Sequence, residues 1–76
     1  MKDLLHYLIS SITGSDQFEI GEEELDGKVT FIVRADKDII GLIIGKEGKT
    51  IKNIRRILAV KAASEQKAVN ISVLEA

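Results

Sequence analysis

Two glycines, Gly45 and Gly48, divide what would otherwise be one long helical pattern, and this break constrains the fold more than any other feature of the chain. Before it, Ile39, Ile40, Ile43 and Ile44 recur at helical spacing behind Asp36, a residue type that caps helix starts. After it, a longer helix from about Thr50 to Ser64 lines up Ile51, Ile54, Leu58 and Ala62 on one side. Two amphipathic helices joined this tightly need a shared apolar surface, and alternating runs elsewhere supply one. Phe18 and Ile20 alternate with Gln17 and Glu19. The run Val29-Thr30-Phe31-Ile32-Val33 follows Asp26-Gly27, a dipeptide suited to a tight hairpin turn. Val69, Ile71 and Val73 alternate with Asn70, Ser72 and Leu74, so a final strand follows Ser64-Glu65-Gln66-Lys67. At the start, Leu4, Leu5, Leu8, Ile9 and Ile12 predict a helix from Asp3, a candidate N-cap, to Thr13, with Gly14 as its stop. The order is α-β-β-α-α-β, with no proline, repeat or linker. It predicts one α+β domain over residues 1–76, with helices on one face of a three-stranded mixed sheet. A right-handed crossover sets the last strand beside and parallel to the second.

Size and composition narrow the function. A chain of 76 residues buries only about 60% of its unfolded surface, which leaves little room for a deep catalytic cleft and favours a binding module. With no cysteine and one histidine it has no disulfide, thiolate or imidazole-cluster chemistry, so neither metal nor cofactor is expected. No apolar run reaches the roughly 18 residues of a membrane span, and Met1-Lys2-Asp3 does not open a secretory signal, so a cytoplasmic location without membrane contact is expected.

The formal net charge of -1 conceals a segregation along the chain. Residues 1–38 hold four basic and nine acidic side chains, whereas residues 39–76 hold seven basic and three acidic ones. Such segregation either gives two solvated faces or provides an electropositive face for phosphates on a nearly neutral domain. The glycine loop lies in the basic half. Gly45 can take a positive φ that ends the first helix, and Gly48 lets a ligand approach the backbone. The loop amides and the N-terminus of the next helix are a suitable cradle for backbone phosphates. At 100° per residue, Lys49, Lys52, Asn53 and Arg56 fall on one side of that helix, opposite its apolar stripe, and extend the loop as a cationic track. Read alone, an isolated Gly-x-x-Gly is also an ordinary helix connector.

The run Ile43-Ile44-Gly45-Lys46-Glu47-Gly48-Lys49-Thr50-Ile51, between two helices and after a hairpin, resembles the signature of KH RNA-binding domains. The resemblance covers nearly the whole chain. The N-terminal helix and hairpin before the β-α-α-β core look like the type II arrangement. The length and the Gly41-Leu42-Ile43-Ile44-Gly45-Lys46-x-Gly48 run are similar to the small stand-alone bacterial KH proteins of the KhpA family. The resemblance implies a non-catalytic site for about four nucleotides of single-stranded RNA. Gly45, Lys46, Glu47 and Gly48 would hold the sugar–phosphate backbone, and Lys46, Lys49, Lys52 and Arg56 would supply charge. Gly41 would leave space for bases, or else pack where helix meets sheet. Ile44 would form a groove wall, or else belong to the core. Glu47 departs from the neutral or basic residue of many KH loops and is expected to weaken RNA binding without abolishing it. The resemblance also implies an RNA chaperone or post-transcriptional regulator that forms homodimers or pairs with a larger KH-containing protein. A protein-binding adaptor with little intrinsic RNA affinity is the alternative.

The remaining candidates are expected to play structural parts. Tyr7, Phe18 and Phe31 read as core, and His6 as a surface residue without a catalytic partner. Ile57 and Val60, between the core stripe and the basic stripe, read as an interface or as the core edge. Glu22-Glu23-Glu24 beside Asp26 reads as a solvated hairpin end. A phosphate-loop NTPase is excluded by the absence of Gly-x-x-x-x-Gly-Lys-Ser/Thr.

Overall fold

The Asp26-Gly27 turn takes left-handed φ at both positions, 52° and 78°, which matches the twist of the strands it joins. It closes a hairpin of β1 (Phe18–Leu25) and β2 (Lys28–Ala35) with Phe18 opposite Ala35 and Leu25 opposite Lys28. In the computed structural model, which describes residues 1–76, β3 (Ala68–Glu75) pairs with β2 in parallel from Lys28–Ala68 to Ala35–Glu75. The sheet order is β1-β2-β3. Three helices complete the order: α1 (Lys2–Thr13), α2 (Lys37–Ile44) and α3 (Lys49–Ser64), with a 3₁₀ turn over Lys46–Gly48 between the last two. The anticipated α-β-β-α-α-β order and parallel closing strand are both present.

Alternation along β2 decides where the core lies. Val29, Phe31, Val33 and Ala35 are buried, while Thr30, Ile32 and Arg34 face the open side of the sheet. Ile71 of β3, level with Phe31, extends this face, and Leu5 and Ile9 of α1, Ile43 of α2 and Ile54 and Leu58 of α3 close over it. Each large aliphatic side chain buried here contributes about 1.5–3 kcal/mol relative to exposure. Because α2 and α3 each anchor on this core, the loop between them is held at both ends.

Two expectations are corrected. α1 begins earlier than anticipated: Met1 is its N-cap, the Leu5 amide donates to the Met1 carbonyl at 3.0 Å, and Asp3 lies inside the first turn. There its carboxylate still complements the helix dipole. Tyr7 is 67% exposed rather than core, because at 100° per residue it lies nearly opposite Leu5, the residue that α1 buries. Phe31 is fully buried, and Phe18 packs half-buried against the core with its ring centroid 4.9 Å from that of His6. His6 itself is exposed. At the hairpin end, Glu22, Glu23 and Glu24 are exposed, and Glu24 accepts a hydrogen bond from the Lys67 ammonium at 3.0 Å. This hydrogen bond and the accompanying Coulombic attraction raise the Lys67 pKa above its ordinary value.

Candidate nucleic-acid interface

The loop between α2 and α3 is built from left-handed backbone. Gly45 (φ 75°, ψ 177°), Glu47 (φ 57°, ψ 23°) and Gly48 (φ 74°, ψ 15°) all have positive φ, and only Lys46 among the four does not. The Gly45 conformation is in a region essentially restricted to glycine. Local hydrogen bonds hold the turn: the Gly45 amide donates to the Gly41 carbonyl at 2.9 Å and the Gly48 amide to the Gly45 carbonyl at 3.2 Å. The two glycines differ in what surrounds them. A Cβ at Gly45 would overlap the Thr50 hydroxyl and lie 2.7 Å from the Thr50 Cβ, whereas one at Gly48 would meet nothing within 4 Å. Gly45 therefore lets the chain fold back onto α3, and Gly48 leaves its backbone open to an approaching ligand.

The start of α3 is arranged against its own stability. No side chain caps it, and its first turn contains no acidic residue. Its first residue is Lys49, and Lys52 follows within the next turn, so ammonium groups gather at the positive end of the helix dipole. The uncapped amides and the lysines together favour an anion. α2 has the opposite arrangement, with the Asp36 carboxylate accepting from the Ile39 amide at 3.0 Å and Asp38 in its first turn.

The residues singled out in the sequence fall as follows. Lys46, Glu47, Lys49, Lys52 and Arg56 are exposed, and Gly48 is half-buried. None of these four basic side chains or Glu47 takes part in an ion pair; the two pairs in the molecule are Lys61–Glu65 and Lys67–Glu24. A Cβ at Gly41 would meet nothing within 4 Å, which removes the packing explanation for that glycine and leaves an open helix face. Ile44, the last residue of α2, is 38% exposed and so is not part of the enclosed core. Nearly opposite it on α2, Leu42 is 49% exposed, an apolar side chain that the sequence pattern did not single out. Thr50 was also missed as a packing partner: its contact with Gly45 depends on the turn geometry, and the only sequence signal was its place just after the loop.

Along α3, Ile54, Leu58 and Ala62 are buried as the periodicity predicts. Val60 does not lie between the two stripes. At 100° per residue it lies about 20° from Lys49, in line with the cationic track and about three turns further along. The outer face of α3 thus changes along its length, from Lys49, Lys52, Asn53 and Arg56 to Ile57 and Val60, which are 44% and 70% exposed.

A short glycine loop between two helices, set after a hairpin and before a strand parallel to β2, defines a KH-like domain of the α+β class. The family model described as KhpA/KhpB, KH domain, matches residues 2–73, and the chain belongs to that family. An RNA-binding protein KhpA of Chlamydia caviae is 38% identical over 77 residues, a match covering 99% of this chain and 97% of that protein. The protein of the same name from Thermotoga maritima is 27% identical over 75 residues, covering 97% of this chain and 99% of the relative. Among solved structures, an Aquifex aeolicus Era variant bound to GDP.AlF4- shares the fold, with a TM-score of 0.69 at 14% identity. That likeness spans 96% of this chain but only 29% of the Era chain.

Proposed function

We propose that residues 1–76 form one non-catalytic, type II KH domain that binds single-stranded RNA, acting in the cytoplasm as an RNA chaperone or post-transcriptional regulator. Gly45, Lys46, Glu47 and Gly48 clamp the sugar–phosphate backbone of about four nucleotides. Lys46, Lys49, Lys52 and Arg56 neutralise phosphates along the track. Gly41 and Ile44 border the bases, which meet aliphatic rather than aromatic surface. The observation that carries this reading is the start of α3, where an uncapped helix end meets unpaired lysines directly behind a loop with an open glycine backbone. Membership of a family whose curated relatives are named RNA-binding protein KhpA supports the ligand class. The exposed Ile57 and Val60 at the far end of the same helix support an interface with a second copy or with a larger KH-containing protein.

The test is binding to short single-stranded RNA by the double variant Lys46→Asp, Glu47→Asp. Both positions are exposed, so the variant keeps the circular dichroism spectrum of the parent while its affinity falls at least tenfold. Equal affinity in the folded variant removes the assigned site. Failure of the parent to bind any RNA pool favours the adaptor reading.

A further inference from the structure

The sheet has two edge strands, β1 and β3, and they differ in what they show to another chain. β1 carries Glu19, Glu22, Glu23 and Glu24, charges of the kind that keep an edge from pairing. β3 carries no charge from Ala68 to Leu74. The direction of its backbone groups is fixed at both ends. The Ala68 amide donates to the Gly27 carbonyl at 3.0 Å and the Ala76 amide to the Ala35 carbonyl at 2.8 Å, so the even-numbered residues between them point at β2. The N–H and C=O groups of Val69, Ile71 and Val73 therefore point out of the sheet, where no strand meets them.

We infer that β3 pairs antiparallel with β3 of a second copy about a two-fold axis at Ile71, joining the two sheets into one. The strand's own sequence supplies the register. Reading outwards from Ile71, residues match in pairs: Asn70 with Ser72, Val69 with Val73, Ala68 with Leu74 and Lys67 with Glu75. A two-fold axis at Ile71 sets each residue opposite the other member of its pair in the second copy. The outward-pointing residues then meet one another, Val69 with Val73 and Ile71 with Ile71, and each pair exchanges two hydrogen bonds. On the face away from the helices, Asn70 lies against the Ser72 hydroxyl of the second copy, and Ala68 against Leu74, which is 45% exposed in the single chain. The end charges choose the direction. Antiparallel pairing brings Lys67 towards Glu75 of the second copy, whereas parallel pairing would bring like charges together. Lys67 keeps its hydrogen bond to Glu24, so this attraction steers the pairing without a new ion pair. One ladder of this length buries less than a standard interface, so the dimer is weak and forms at high protein concentration. The contact uses no residue of the apolar end of α3 and does not rest on the RNA-binding reading.

The experiment is amide hydrogen exchange followed by NMR on the full chain, from micromolar to millimolar concentration. Wild type is compared with the double variants Asn70→Lys, Ser72→Lys and Asn70→Lys, Ser72→Glu. Both positions lie on the open face of the sheet, so each variant keeps the circular dichroism spectrum of the parent. In wild type, protection of the Val69, Ile71 and Val73 amides rises with concentration, while the Asn70 and Ser72 amides, bonded to β2, are protected throughout. With lysine at both positions, like charges face each other about 5 Å apart on either side of the axis, and the dissociation constant rises about tenfold at low salt. Lysine opposite glutamate restores the pairing. Outward amides that exchange freely at every concentration overturn the inference. So does self-association that the two lysines leave unchanged, or that the lysine–glutamate variant fails to recover.

Discussion

At the residue scale, Gly45 and Gly48 look equivalent in the sequence and have different roles in the fold. Gly45 combines a glycine-only backbone region with close packing on Thr50, whereas Gly48 requires only a left-handed φ in open space. Gly45→Ala should cost about 3 kcal/mol, combining backbone strain with overlap against the start of α3. Gly48→Ala should cost about 1 kcal/mol, and Gly48→Asn less. Urea unfolding of the three variants checks the order; equal losses at the two glycines would show that the Thr50 contact has no energetic weight. The presence of both glycines was legible because they interrupt a periodicity. Which one was sterically obligatory was not, since Thr50 reaches Gly45 only after the loop has turned. Gly41 shows the reverse: its two readings stayed open until the empty space around it removed one of them.

At the element scale, the short α2 depends on its cap. It has eight residues, fewer than an isolated helix needs in water, and one face held by Ile43. The Asp36 carboxylate satisfies the Ile39 amide at its start. Asp36→Ala should therefore destabilise the domain by about 1 kcal/mol, a fall in Tm of about 4–8 °C for a chain this short. Thermal melts followed by circular dichroism check this, and an unchanged Tm would show that tertiary packing alone sets the start of α2. Helix and strand spans were largely legible because each element buries one periodic face. The errors came at ends and on outer faces. Asp3 resembles a cap in sequence, but the backbone has already entered the helix at Lys2, with Met1 as its cap. Tyr7 reads as core from its place in an amphipathic helix near the apolar face, whereas its azimuth on α1 sends it to solvent.

At the scale of the whole molecule, α3 joins two surfaces that the chain keeps apart by distance rather than by face. Its first half carries the cationic track and its second half the exposed Ile57 and Val60. If that apolar end is the proposed interface, Val60→Asp should convert a self-associated species into an 8.4 kDa monomer in sedimentation equilibrium. It should lower affinity for a tetranucleotide by no more than about threefold, since the new carboxylate lies one turn from Arg56 but the loop lies about 18 Å away along the helix. A wild type that sediments as a monomer at all concentrations would remove the homodimer. The sequence by itself determined the element order, the hairpin turn, the buried stripes and the position of the loop, since these follow from local periodicity and from the backbone preferences of single residues. Tertiary structure decided which glycine has to be a glycine, which apolar side chains stay in solvent and whether the basic side chains find acidic partners. Those properties depend on groups distant in the chain, such as Lys67 with Glu24, being brought together when the parallel strand closes on β2.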